Sequence, residues 1–430
     1  MDKINVGLCG LGTVGTGVVK VLQDHQEHIK HKLGCEIEIR KVLVNNMDKQ
    51  RDDIIDRDWL TNDPSELVEA ANIDVIIEVM GGIEDTNKLL ETALKNKKHI
   101  VTANKDLMAV HGQKLLRLAK QNHCDILYDA SVAGGIPILR SLSDGLASDH
   151  IQKIMGIVNG TTNYMMTKMT DEGLAYDSVL KEAQNLGFAE ADPSSDVDGL
   201  DAARKMTLLA NLAFKMELHL EDVNVTGIRN LTQEDIQFAE NLDYTIKLIG
   251  IASMHNGKAE VSVEPTLLPK DHPLALVKNE YNAVYVYGEA VGETMFYGPG
   301  AGSLPTATAV VSDLMEVVKN IRLGISGNTY IDPQFDRQLK EDHEKYSRHF
   351  IRFEVDDQAG AFQEITNIFS EHEVSFAKIL QLPSDQEKTA EIVMVTHKIS
   401  REQLLKSMAK LEGLAIVKRL ISHYRVDGEE

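Results

Sequence analysis

A chain of 430 residues is longer than one hydrophobic core usually supports, so two or three domains are expected. With 43% hydrophobic and 26% charged residues it has the composition of an ordinary globular protein, which excludes disordered and fibrous classes. A formal net charge of -21 opposes nucleic acid and anionic membrane before any specific contact forms, leaving a small molecule as the expected partner.

Cys9, Cys35 and Cys124 are odd in number and widely spaced, which fits neither a disulfide framework nor a zinc site. They read as buried thiols of a reducing compartment. The chain enters an apolar strand at Ile4 without a leader pattern, and no run approaches the ~20 apolar residues that span a bilayer, so a cytoplasmic protein is expected.

From Ile4 to about His150, short apolar strands (Ile4–Cys9, Glu36–Val44, Val75–Val79, His99–Thr102, Ile126–Tyr128) alternate with helical patterns such as Val14–Gln23 and Asn87–Lys95. That alternation predicts a parallel sheet wrapped by helices over residues 1–150. A second α+β domain is expected over 151–302, with strands at Ile154–Val158 and Ala259–Pro265 and helices at Tyr176–Gln184 and Leu200–Phe214. The glycine-rich run from Tyr297 to Pro305 precedes a helix at Thr306–Lys319, and residues 303–325 are candidates to complete the first domain. Residues 348–426 read strand, helix, strand, strand, helix, strand, the order of a ferredoxin-like sandwich.

Directly after the first strand stands Gly10-Leu11-Gly12-Thr13-Val14-Gly15, the dinucleotide fingerprint of a Rossmann-type doubly wound sheet. The first glycine permits the tight turn, the second lets a pyrophosphate approach main-chain N–H groups at the helix start, and the third lets helix and strand pack closely. Glycines alone are a weak signal; their position at the opening of a βαβ pattern strengthens it. The second strand ends Val44-Asn45-Asn46, without the acidic residue that binds a ribose 2′-hydroxyl, while Arg40 lies within it. NADP is therefore favoured over NAD, against the plain alternative of Arg40 as a solvated strand residue. Thr102-Ala103-Asn104-Lys105 follows the fourth strand, at the sheet edge where ligands bind; a solvated helix-start lysine is the alternative.

Between Gly187 and Lys205 five carboxylates, Glu190, Asp192, Asp196, Asp198 and Asp201, crowd a turn-rich loop that runs into a helix. Asp201 and Lys205 project from one face of that helix. The plain reading is a surface ion pair contributing ~0.3–0.5 kcal/mol, with Asp198 as N-cap. Against it, clustered like charges repel unless a cation such as a substrate ammonium compensates, which leaves a lysine to act on a carbonyl oxygen.

The spacing resembles the signature of homoserine dehydrogenases, in which an alanine, a glycine four residues on, an Asp-Pro and a run Asp-Val-x-Gly-x-Asp ending in lysine follow in this order. Asn104-Lys105, Asn159-Gly160-Thr161-Thr162-Asn163 and Gly300-Ala301-Gly302 match the family as well, so the resemblance covers nearly all of residues 1–320. It implies interconversion of L-homoserine and L-aspartate 4-semialdehyde with NAD(P)(H), a step towards threonine and methionine. Family roles then fall on Lys205 as acid/base and Lys105 beside it at the reacting oxygen. Glu190 and Asp201 would hold the amino-acid end, with Asp196, Asp192 and Gly187 in support. Cofactor contacts would come from Gly10, Leu11, Gly12, Thr13, Val14, Gly15, Arg40, Thr102, Lys105, Gly187 and Gly302. A sodium ion on the carbonyls of Val132, Gly134 and Ile136 and a homodimer are also implied. The side-chain ligand usual there is glutamate, whereas this chain has Asp129, whose shorter side chain puts direct coordination in question.

The C-terminal unit resembles an ACT regulatory domain, whose amino-acid-binding loop corresponds to Val355-Asp356-Asp357-Gln358-Ala359-Gly360-Ala361-Phe362. Threonine would be its effector. Two rivals stand beside this reading. A phosphorylating semialdehyde dehydrogenase needs a cysteine nucleophile, and none of the three lies in a suitable setting. A non-catalytic sensor would have no reason to keep both lysines and the carboxylates.

Overall fold

The computed structural model describes residues 3–330, 332–383 and 388–428. The chain sorts into two compact units: Met1–Ile154 with Ala202–Asp222 and Tyr281–Arg337, and Met155–Asp201 with Val223–Glu280 and Gln338–Glu430.

The first unit is built on six parallel strands, β1 (Lys3–Cys9), β2 (Glu36–Leu43), β3 (Leu60–Thr61), β4 (Val75–Glu78), β5 (His99–Thr102) and β6 (Ile126–Leu127). Their order is β3-β2-β1-β4-β5-β6, the doubly wound arrangement in which chain direction across the sheet reverses between β1 and β4. Ile4, Val6, Leu8, Val75, Ile76 and Ile77 are fully buried, as a parallel sheet covered by helices on both faces requires. The helix Ser303–Leu323 packs on the helix Thr13–Asp24 and adds Val310, Leu314, Val317 and Val318 to the same core. Their approach is close: a Cβ on Gly17 would sit 2.7 Å from the Ser303 carbonyl oxygen. This helix starts at Ser303 rather than after Pro305, because proline is tolerated in a first turn whose N–H groups have no partner in any case. A hairpin, Tyr281–Gly288 with Gly292–Pro299, belongs to this unit too.

In the second unit the strands Tyr244–His255 and Lys258–Pro269 pair antiparallel along their whole length. The strand Val417–Val426 runs parallel to the end of the second of these through Thr266 with Arg425 and Leu267 with Val426. From there the sheet continues antiparallel through Tyr346–Asp356, Thr389–Thr396 and Phe376–Pro383. This is the fourth, first, third, second order of a ferredoxin-like βαββαβ fold. Its helices Ala361–Glu371 and Arg401–Glu412 bury Ile365, Phe369, Leu404 and Leu411 against Phe353, Ile392 and Met394.

The run Asn159 to Asn163 opens the helix Gly160–Glu172. Asn159 caps it by accepting from the Thr162 N–H at 2.9 Å, and the helix buries Tyr164, Met165, Met166 and Met169.

Candidate active site

The glycine loop has the geometry that its residue types demand. Gly10 has φ +98° and lies against Met80, whose backbone would be 2.8 Å from a Cβ there. A Cβ on Gly15 would meet the Gly10 carbonyl oxygen at 2.2 Å. Gly12, by contrast, caps the helix Thr13–Asp24 and would have nothing within 4 Å of its Cβ. Tight turn, open approach and close packing are the three properties by which such a loop presents helix-start N–H groups to a pyrophosphate.

The carboxyl edge of β4 and β5 is tied together by Glu78, which is fully buried. One carboxylate oxygen accepts from the N–H groups of Met80 at 2.9 Å and Gly81 at 3.0 Å; the other accepts from the Thr102 hydroxyl at 2.6 Å. Burial pushes its carboxyl up, and these hydrogen bonds pull it back. The Thr102 oxygen in turn accepts from the Asn104 N–H at 3.0 Å, and the Asn104 carboxamide donates to the Gly82 carbonyl at 2.8 Å. Asn104 also caps the helix Lys105–Gln121 through the Leu107 N–H, so Lys105 occupies that helix's first position. Its neighbour Asp106 pairs at 3.0 Å with Arg204, which is next to Lys205 on the helix Leu200–Phe214. Residues on either side of this ion pair are therefore the two sequence-selected lysines.

The carboxylate-rich loop sorts into distinct environments. Asn159 uses its Nδ2 group to donate to Asp196 at 2.7 Å and to Asp201 at 2.8 Å, joining these two carboxylates. Asp201 is buried and Asp196 partly so. Asp198 is bound by the Arg229 guanidinium, which also donates to Ser194 at 3.0 Å. Asp192 accepts from the Ser194 N–H and hydroxyl, which hold its carboxyl below the ordinary range. Glu190 is exposed, its carbonyl accepting from Gln184 at 3.1 Å. Gly187 is exposed with φ +78° and open space around it, and Gly302 caps the helix Ser303–Leu323 with φ +120°.

Arg40 is not brought to the carboxyl edge. It lies mid-strand, donating to Asn5 at 2.8 Å and Glu38 at 2.7 Å in the amino-terminal half of β1 and β2. The guanidinium after β2 is Arg51, folded onto the carbonyls of Asn46 at 2.5 Å and Lys49 at 2.8 Å. Asp129 is buried, its carboxylate accepting from the Leu139 N–H at 2.8 Å and the Arg140 N–H at 3.4 Å. Val132 and Ile136 are buried beside it, and Gly134 has φ +54° with the Gly300 carbonyl 2.4 Å from where a Cβ would be. Among the described residues no group of three or more His, Cys, Asp or Glu side chains is arranged to hold a metal ion. The three cysteines are free and buried, and burial pushes the Cys9 thiol up, opposite to what a nucleophile needs.

A family profile described as homoserine dehydrogenase matches residues 137–315, and one described as homoserine dehydrogenase, NAD binding domain, matches 10–129. A third, the ACT domain, matches 349–415. The homoserine dehydrogenase of Bacillus subtilis (strain 168) is 57% identical over 429 residues, which cover 100% of this chain and 99% of that one. This chain belongs to the homoserine dehydrogenase family. A solved homoserine dehydrogenase from Thiobacillus denitrificans is similar with TM-score 0.93 and 36% identity, covering 99% of this chain and 98% of its own. The S. aureus homoserine dehydrogenase at pH 6.0 has TM-score 0.79 and 40% identity over 100% of both chains. The protein is accordingly an NAD(P)-dependent oxidoreductase acting on a CH–OH group, with NAD-binding, catalytic and ACT domains.

Several polar residues of this homoserine dehydrogenase fold escape sequence reading. Glu78 had a signal, a carboxylate closing an otherwise apolar strand. Asp106, Arg204 and Lys247 had none. Lys247 is buried, donating to Asn163 at 3.0 Å and the Val277 carbonyl at 2.7 Å, and burial lowers it to about 8. No helix among the described residues is long and apolar enough to cross a membrane.

Proposed function

We propose that the enzyme interconverts L-homoserine and L-aspartate 4-semialdehyde, with Lys205 as the acid/base and Lys105 beside it at the reacting oxygen. The observation that carries this reading is the Asp106–Arg204 ion pair at 3.0 Å, which joins two helices at the residues next to those lysines. Bound NAD(P)(H) supplies or accepts the hydride. During reduction negative charge develops on the carbonyl oxygen, where an ammonium stabilises it and delivers a proton. Asp201 and Asp196, gathered by Asn159, with Glu190, take the substrate ammonium, and Asp192 and Gly187 support that end.

Gly10 to Gly15, Thr102 and Gly302 bind the cofactor. NADP is the preferred form, because β2 runs into Asn45-Asn46 without a carboxylate to repel a 2′-phosphate, and Arg51 rather than Arg40 is the guanidinium near that end. A sodium ion on the carbonyls of Val132, Gly134 and Ile136, with Asp129 orienting the loop, would suit hard oxygen ligands. Threonine is the effector at the loop Val355–Phe362, the protein is a cytoplasmic homodimer, and the step serves threonine and methionine synthesis. The domains are 1–150 completed by 303–325, then 151–302, then 348–426.

The test is purified protein with L-homoserine and NADP⁺ or NAD⁺, followed by near-ultraviolet absorbance of the reduced nicotinamide. Faster turnover with NADP⁺ is expected, with inhibition by threonine that Asp357→Ala relieves and activation by sodium over potassium. Equal or better use of NAD⁺ rejects the cofactor assignment, and unchanged rates with threonine or sodium reject those ligands.

A further inference from the structure

We propose that Glu78 is a positioning residue for hydride transfer, holding the backbone under the cofactor loop in register with the helix that begins at Lys105. A chain of contacts makes the connection, all within one compact unit. Gly10 of the cofactor loop rests on Met80 closely enough that a Cβ would be 2.8 Å from its backbone. Met80 and Gly81 are fixed by one oxygen of Glu78, and Thr102 by the other. Thr102 holds the Asn104 N–H, and Asn104 both returns to Gly82 and caps the helix of Lys105. The circuit is closed, and Glu78 is the member through which the loop after β4 and the loop after β5 share one anion.

The residue type suits the task. A carboxylate only accepts, and the three neighbours at 2.6 to 3.0 Å all donate. A glutamine of the same shape can keep the two N–H groups on its oxygen and donate to the Thr102 hydroxyl, so it keeps the volume and removes the charge that strengthens these bonds. The strand itself has no other need of a charge, since Val75, Ile76 and Ile77 are fully buried. Misplacing reacting groups by about 1 Å costs up to ~10²-fold in rate without touching affinity.

This inference rests on the assignment of Lys105 to the reacting oxygen, and the experiment separates the two. Glu78→Gln, Lys105→Ala and the double variant are compared by kcat, KM for homoserine, affinity for reduced cofactor by fluorescence, and the isotope effect with 4-deuterated reduced cofactor. Glu78→Gln should lower kcat roughly 10- to 100-fold and raise the isotope effect, with KM and cofactor affinity within about 3-fold. In the Lys105→Ala background the same change should have little further effect. A stabilising role alone would instead lower the melting temperature and cofactor affinity while leaving kcat of the folded enzyme unchanged, which overturns the proposal. Loss in Lys105→Ala with normal kcat in Glu78→Gln also overturns it while sparing Lys105. Normal turnover in Lys105→Ala rejects the Lys105 assignment and this proposal with it. Should Glu78→Gln not fold, Asn104→Asp keeps the acceptor for the Leu107 N–H and cuts the same circuit at Gly82: the same kcat-only loss supports the proposal, and unchanged kcat overturns it.

Discussion

Replacing Asn159 tests the carboxylate pair apart from the cofactor loop, which lies in the other compact unit. Asn159→Ala removes the bonds of 2.7 Å to Asp196 and 2.8 Å to Asp201 together with the cap on Gly160–Glu172. A hydrogen bond to a charged group contributes about 1.5–3 kcal/mol and an N-cap about 1 kcal/mol, so roughly 4–7 kcal/mol of local interaction is lost before water replaces part of it. If the paired carboxylates grip the substrate ammonium, loss of one such bond's worth of organisation lowers kcat/KM for homoserine by about 10- to 150-fold. Asn159→Asp separates the effects. It keeps an acceptor for the Thr162 N–H but loses both donors and adds a third carboxylate, so it should match alanine in kcat/KM while inactivating at a higher temperature. Its defect should ease as pH falls, because a protonated introduced carboxyl can donate again. The assay is initial rate against homoserine at saturating cofactor, beside a fluorescence titration of the reduced cofactor. The reasoning fails if kcat/KM stays within about 3-fold of the parent in both variants, or if cofactor affinity falls in step with it.

Lys205→Ala should lower kcat by about 10²–10⁴-fold in both directions with cofactor affinity nearly intact; near-normal turnover removes it from acid/base chemistry. Gly15→Ala, whose Cβ would sit 2.2 Å from the Gly10 carbonyl oxygen, should weaken reduced-cofactor binding by at least about 10-fold in a fluorescence titration. Lys247, lowered by burial to about 8 from its ordinary 10.5, binds its proton less tightly folded than unfolded. Its contribution to stability is therefore present above pH 10.5 and lost as pH falls towards 8, a span of roughly 3 kcal/mol. The difference in unfolding free energy between parent and Lys247→Met should follow that slope, and a flat difference would show that the lysine is not held in a low-dielectric site.

The elements read most directly from sequence are those whose pattern is local. The helix Leu200–Phe214 carries apolar residues at helical spacing over its full length, and the structure gives it the same bounds. Strands buried on both faces are harder. Tyr244–His255 reads as a nearly continuous apolar run because eight of its first nine residues are buried, all but Thr245, and such a run has neither the period of a helix nor that of a half-exposed strand. The helix Gly160–Glu172 fails in the opposite way: its threonines favour extended backbone, and burial of the methionines overrides that preference.

At the site, the groups proposed to meet substrate and cofactor are legible because motif spacing is local, whereas the groups that hold them are single polar residues with distant partners. Asn159 meets carboxylates 37 and 42 residues away, and Glu78 meets a hydroxyl 24 residues away. Both nonetheless obey one physical rule. Each stands where a strand or extended segment turns into a loop or helix, at Glu78 ending β4 and at Asn159 opening Gly160–Glu172. There the chain leaves main-chain N–H groups unpaired by sheet or helix, and a side-chain oxygen that collects them fixes the direction of everything that follows. A lone Glu after three buried aliphatic residues, or an Asn before Gly-Thr-Thr, is therefore best examined for the donors it can gather. That reasoning separates Glu78 and Asn159 from Arg40, a charged residue mid-strand whose neighbours Asn5 and Glu38 already satisfy it and which leaves no turn to organise.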